Sequence, residues 1–424
     1  MANSFSKEER NAFEDLLEGF QDALVLSRNV AVYNTDQTLM ERSNNVIWRP
    51  QPYIAVSYAG VDMTTNFDDY TQLSVPATIG ISRGVPWLMN ATELRDALQE
   101  KRLGAAAKQK LASDINVAVM NVAANQGTLF VKRTGAASGF DDVAEIEAVM
   151  NEQGIMDSDR YLALSTRDYN GMASDLAKST RSFGNDISDS ALRRSFVGRV
   201  ASFETYKLDY AVRKTAAAGG GGITMSTLPA ANNFWVPRAT VVAATGETSN
   251  LDNRFQTITV SSTTNVAPGD SFTAGNVFAV HHITKQSTGQ LKTFRVISVP
   301  SSTTLVISPP MISNQGGSDA EAQYQNVTIP TTSASAPIVW LNTAAGNMNP
   351  FWHKDAIEIL PGRYAVPTDA GTAVMRASTD QGIELVMQKW YDIDTMKTKY
   401  RLDTLFGVVN KQPQMSGIVM FSQP

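Results

Sequence analysis

Between residues 7 and 26 apolar side chains return every three or four positions: Phe13, Leu16, Leu17, Phe20 and Leu24. That spacing predicts a helix with a single apolar stripe. Glu8, Glu9, Glu14, Asp15 and Glu18 make the remaining faces acidic. Such a stripe either packs on its own domain or docks, as an arm, on another chain. The N-terminal position favours the second, so Phe13, Leu16, Leu17 and Phe20 are candidate inter-subunit contacts.

Residues 46–81 carry a different pattern. VIWRPQPYIAVSYAG and LSVPATIGI are extended in character, and the polar TTNFDDYTQ lies between them. Two β-rich limbs around a polar tip predict a long hairpin-like loop, with Asp68 and Asp69 at the tip as candidate contacts. Residues 91–126 then give the strongest helix. Asn90 and Glu93 have capping-box spacing, and Leu94, Leu98, Leu111, Ile115, Val119 and Val122 supply apolar positions. Gly127 is a natural stop. At the rise of an α-helix this segment would span about 50 Å, the length of a backbone for an elongated domain. From 139 to 215 the pattern is mixed: a helix over 142–153, a strand at 161–165, a helix over 167–178 and a further helical stretch at 190–200.

A run of four glycines, Gly219–Gly222, marks a change in composition and reads as a flexible hinge. From 223 to 345 the chain is rich in Ser, Thr, Val and Ile, with turn signals every few residues. TITVSS (257–262), VFAVHHI (277–283), TFRVISV (293–299) and TLVIS (304–308) are strand candidates. Short, evenly spaced strands predict a small barrel or sandwich. Alternation along them places Ile258, Val260, Phe278, Val280, Phe294, Val296 and Ile307 in its core. From Asn349 the mixed pattern resumes. The chain therefore reads as an α+β protein carrying an inserted β-domain.

Composition adds mainly exclusions. The chain has 424 residues, 43% of them hydrophobic and 18% charged, and a formal net charge of −5. No window approaches the roughly 18 apolar residues of a membrane span, and the opening MANSFSKEER lacks the apolar core of a signal peptide. There is no cysteine, which removes disulfides, thiolate metal sites and thiol nucleophiles. No basic stripe of a nucleic-acid grip stands out. The histidines are His281, His282 and His353. The first two fall in a strand candidate, where neighbours face opposite ways, so no metal site is expected. Phosphate loops, dinucleotide fingerprints and nucleophile elbows are missing. No catalytic residue, cofactor or enzymatic activity is expected.

Four stretches, in order, resemble the major coat protein of tailed double-stranded-DNA phages, closest to the lambdoid short-tailed type with an inserted domain. ERSNNVIWRP (41–50) is similar to the start of that family's extended loop. NATELRDALQEKRLGAAAKQKLASDINVAVMNVAANQGTLF (90–130) looks like its long spine helix. LDNRFQTITV with PGDSFTAGNVF (251–278) is similar to its insertion-domain strands, and NPFWHKDAIEIL (349–360) to its return into the main body.

The resemblance implies the Hong Kong 97-like capsid fold: an N-terminal arm (1–40), an E-loop and peripheral domain with the spine helix (41–138), a first part of the axial domain (139–222), an inserted β-barrel (223–345) and a return through the axial and peripheral domains (346–424). It implies self-assembly through hexamers and pentamers into an icosahedral shell around phage DNA, which is enclosed without sequence recognition. Scaffolding and portal proteins are the implied partners, the virion the location, and the host cytoplasm the place of assembly. In the family an insert loop meets the next capsomer; it corresponds to Ala243–Asn250, with Glu247 inside it and Asp252 and Arg254 just beyond. Some capsids of this fold join an E-loop lysine to a neighbour's asparagine, but no lysine lies between Lys7 and Lys101. Two other readings stand beside this one: an encapsulin-like compartment, and a β-rich tail or receptor-binding protein that would present Trp235 and Trp340 to a sugar.

Overall fold

A computed structural model describes residues 5, 7–33, 46–52, 54–64, 67, 69–90, 97–178, 198–228, 234–329, 333–366 and 371–424. The chain divides into two compact units. The first comprises residues 1–47, 77–121 and 357–409, the second 48–76, 122–356 and 410–424.

In the first unit, helix α1 (Lys7–Ala23) carries the amphipathic stripe. The stripe turns inward. Phe13, Leu16, Phe20 and Leu24 are buried, and Leu17 is half-buried. Its neighbours are helix α2 (Ala97–Gln126) and a six-stranded sheet. Phe13, Leu16, Trp87, Gly104, Ala105 and Met387 line a cavity of about 150 Å³ among these elements. This corrects the expectation that the stripe docks on another chain: a face of that width is already covered by the unit's own helix and sheet. Glu9, one of the acidic residues, is drawn in as well. Lys389 Nζ lies 2.5 Å from its carboxylate and the Tyr400 hydroxyl donates to it at 3.2 Å. Tyr400 in turn stacks on Trp87, with centroids 5.5 Å apart.

The sheet runs in the order Ala31–Val32, Ile357–Pro361, Lys397–Asn410, Glu384–Asp392, Ala373–Ser378, and Ile81–Asn90 pairs with Lys397–Asn410. Asn90 ends that strand, and Glu93, its expected capping-box partner, lies outside the described residues. The 30 residues of α2 extend about 45 Å.

Two large sheets lie in the second unit. One has six strands in the order Leu129–Lys132, Ser416–Met420, Asn349–His353, Arg160–Ser165, Phe203–Leu208, Arg199–Val200. Helices α3 (Phe140–Glu152) and α4 (Thr166–Lys178) accompany it, and Val143, Ile146, Met150, Tyr169 and Met172 share one core with Leu162, Leu164, Phe203 and Phe351. Residues 190–197, expected to be helical, lie outside the described residues, and Arg199–Val200 is strand.

The other sheet is the insert. Its main path runs Thr224–Leu228, Ser333–Trp340, Ser271–Val280, Ser287–Ser301, Thr304–Ser308, Gln256–Thr259. The two ends meet, Met225 bridging to Val260 and Ser261 N–H donating to the Thr224 carbonyl at 2.8 Å. The path closes on itself as a small barrel. Its core cluster lies wholly between Ile223 and Ile338 and includes Ile258, Val260, Phe294, Val296 and Ile307.

Phe278 needs correcting: it is half-buried and outside that cluster, and Val277 takes the inward place. Asn276 has φ of 63° and the register slips between Thr273 and Phe278, so the bulge reverses the alternation beyond it. Val280 is fully buried yet not a member of the barrel cluster. The strand ends there, which puts His281 and His282 in a turn, not on opposite strand faces. The glycine run is only partly open. A Cβ on Gly219 would stand 2.7 Å from the Trp340 ring, whereas Gly220 and Gly221 face open space.

The insert is joined to its surroundings by cations set against carbonyl and amide oxygens. Arg295 donates from Nη1 to the Ala124 and Gly127 carbonyls, the end of α2 where backbone acceptors have no helical partner. Lys292 Nζ donates to Gln153 Oε1 at 2.8 Å and Gln414 Oε1 at 3.1 Å; Gln153 is the C-cap of α3. Burial pulls the Lys292 ammonium down to about 7 and the Arg295 guanidinium down to about 10. The chain enters and leaves the insert side by side, Arg213–Lys214 pairing antiparallel with Gly346–Asn347. Asn342 closes this neck. Its Nδ2 donates to Thr215 O at 3.2 Å and to Asp270 Oδ1 at 3.1 Å, and its Oδ1 accepts from Ser271 N–H.

Candidate assembly interface

Exposed apolar side chains mark where a subunit is incomplete alone, because leaving them in water forgoes their burial. Among the described residues the two most exposed lie in the extended loop. Its limbs, Val46–Pro50 and Ser74–Thr78, pair as a two-stranded ribbon. Beyond them Val61 is 102% exposed and Phe67 87%, flanked by exposed Tyr58 and Tyr70. Asp62 shapes the turn here, accepting from Thr64 N–H at 3.0 Å. The Thr64 hydroxyl bonds it too, and holds its carboxyl below the ordinary range. Asp69 is exposed, and Asp68 lies outside the described residues.

The second surface is the insert hairpin Thr240–Val242 and Thr248–Asn250, exposed along both strands. Glu247 is exposed at its turn, near the exposed Val242. Asp252 and Arg254 do not share this exposure. Arg254 is buried, pairs with Asp252 at 2.7 Å and donates to the Asn410 carbonyl at 2.9 Å. Both are engaged inside the subunit, which corrects their assignment as inter-subunit contacts. A third surface, in the first unit, is the end of the hairpin formed by Glu384–Asp392 and Lys397–Asn410, where Trp390, Ile393 and Met396 are exposed.

Sequence patterning missed Val61, Phe67, Ile393 and Met396. The available signal was an isolated apolar residue inside a polar, turn-rich stretch, as in TTNFDDYTQ, where no period requires it. The tryptophans required by a sugar-binding reading are not displayed. Trp235 donates from Nε1 to Asn253 at 3.0 Å, Trp340 meets the Phe272 ring edge-on at 5.7 Å, and each is partly buried in the insert.

Several solved structures and one family model are similar to this chain. A solved structure from Mycobacterium phage Che8 is similar with a TM-score of 0.42 and 10% identity, covering 94% of this chain and 91% of its own. The mature capsid of bacteriophage PhiM1 is similar with a TM-score of 0.41 and 11% identity, covering 100% and 89%. The CUS-3 coat protein I-domain shares 34% identity over 29% of this chain and 98% of its own, with a TM-score of 0.20. The family model described as P22 coat protein, gene protein 5, matches residues 1–422. The chain belongs to the P22 coat protein family and is a phage major capsid protein of the Hong Kong 97-like fold, self-assembling into the shell of the virion.

Proposed function

We propose that copies of this chain, as hexamers and pentamers, build an icosahedral shell that encloses double-stranded DNA without reading its sequence. A scaffolding protein guides assembly in the host cytoplasm and a portal protein occupies one vertex. The shell is held by repeated burial of modest surfaces between copies, with no chemistry performed. The observation that carries this reading is the extended loop: Val61 and Phe67 stand exposed at its end, a surface suited to a neighbouring subunit. The insert hairpin with Glu247 is a second contact, between capsomers. The net charge of −5 fits DNA held by enclosure, since a strongly basic wall would bind phosphate tightly and salt-dependently.

The test is co-expression with the cognate scaffolding protein followed by negative-stain microscopy. Closed shells of uniform size are expected, and a scaffold-indifferent monomer or dimer would overturn the proposal. Shells that purify with an enzyme inside instead of DNA and portal would favour a compartment function.

A further inference from the structure

The extended loop is gripped by a part of the insert, at one residue. Thr71 N–H donates to Gln323 Oε1 at 3.1 Å, and the Thr71 carbonyl accepts from the Tyr324 hydroxyl at 2.9 Å. Both polar groups of that peptide stretch are thus held by consecutive side chains of helix α5 (Asp319–Tyr324). Two positions on, Leu73 is buried in a small cluster with Ile312 and Tyr324, against which Ile54 and Trp235 pack. The opposite limb follows: Gln51 N–H donates to the Leu73 carbonyl at 2.9 Å. All these residues belong to the second unit.

Helix α5 is built to stay in place. Six residues are too few for a helix to hold itself. Ser318 and Glu321 form a reciprocal capping box at its start. At its end Lys285 Nζ donates to the Gln323 carbonyl at 2.8 Å and the Gln325 carbonyl at 3.3 Å. Asn326 then bonds Ile312 N–H and the Pro310 carbonyl. Gln323 is 2% exposed, so its bond to Thr71 is shielded from water.

We propose that α5 is a latch: Gln323 and Tyr324 fix the direction in which the extended loop leaves the subunit, with Thr71 as the pivot. The insert then does more than decorate the coat. Any change in how the barrel sits passes through α5 to Val61 and Phe67. That last step rests on the reading that the loop end meets another copy; the latch itself does not.

The test is hydrogen exchange, read by mass spectrometry, on the unassembled full chain and on Gln323→Met, Tyr324→Phe and the double variant. Each substitution keeps the side chain's bulk and removes one bond to Thr71. Amides at residues 69–73 are expected to exchange about tenfold faster in the double variant, the loss of one or two hydrogen bonds of ordinary net strength. Strand amides at 287–308 should not change. Unchanged exchange at 69–73 overturns the latch. So does an equal rise across the barrel, which would make the pair ordinary supports of the insert's own core. Assembly of the same variants separates the two ideas. Faster exchange with normal shells would leave the latch standing and count against a role for the loop end in the shell.

Discussion

Helix α1 and the extended loop both present large apolar residues within the first eighty positions, and the fold treats them oppositely. The α1 stripe is periodic and is buried by its own unit: Phe20 is 0% exposed. The loop residues have no period, and Phe67 is 87% exposed. Periodicity gives a continuous stripe that one neighbouring surface can cover, so a chain with a sheet and a helix to spare covers it internally. An isolated apolar residue among Thr, Asn and Asp cannot be covered by its own segment. In the shell proposed above it would be available to the next subunit.

The sharpest way to break this contrast is a charge at each place. Phe20→Asp should cost several kcal/mol by burying an unpaired carboxylate, a large part of the stability of about 5–15 kcal/mol that a domain has. The subunit should aggregate, and its thermal midpoint should fall steeply. Phe67→Asp should leave the stability within about 0.5 kcal/mol of the parent and abolish closed shells in the scaffold co-expression assay. If both variants melted normally and both failed to assemble, α1 would be an interface after all.

The barrel gives a second interior point. Phe294 is fully buried and lies against Phe272 with centroids 5.6 Å apart. Phe294→Ala should cost about 3–5 kcal/mol, measured by denaturant titration of the full chain. A loss below about 1 kcal/mol would mean the barrel collapses around the gap, as sites differ in how well they relax.

A pH-dependent effect separates buried from exposed charge. Lys292 titrates near 7 in the folded chain against 10.5 for a free lysine, because burial disfavours its charge. The folded state therefore binds fewer protons, and stability should rise from about pH 7 towards 10 and be lost as pH falls through 7. His282 is held well below 6.5 by burial and by Lys292 and Lys285 beside it. Its contribution is present above 6.5 and is lost on acidification. Lys292→Met should flatten the alkaline side of the stability profile and His282→Gln the acid side. Profiles unchanged by both would place the titrating groups elsewhere. The least visible outcome concerns the shell: with no loop lysine available, hot denaturing detergent should release only 46.0 kDa chains. A ladder of larger species would show covalent joining.

Much of this fold was legible in the pattern. The helix stripes, the change of composition at Gly219 and the inward residues Ile258, Val260, Phe294, Val296 and Ile307 follow from local periodicity. Three things were not legible. Phe278 was misplaced because one residue with positive φ reverses the alternation, and Asn at 276 is a weak signal for it. Asp252 and Arg254 look like contact charges in sequence, but two positions apart they pair with each other, and Asn410, which receives Arg254, is more than 150 positions away. The partner of α1 lies in strands from both ends of the chain, so periodicity could show that the stripe would be buried and not by what.

The neck of the insert has a consequence for how this coat can change. Its two strands run as partners in one ladder, Lys214 beside Gly346. Along the backbone, everything between them is a loop closed by this short ladder. Closing a loop costs free energy that grows only slowly with its length, so lineages can lengthen, exchange or trim this module without moving the two points where it is rooted. A foreign domain whose own ends lie about 5 Å apart is therefore the natural graft at this place. The graft must also bring two cations, one for the helix end that Arg295 now covers and one for the Gln153 and Gln414 side chains that Lys292 bonds. A passenger without them would fit the backbone and still leave those carbonyl and amide oxygens without their donors.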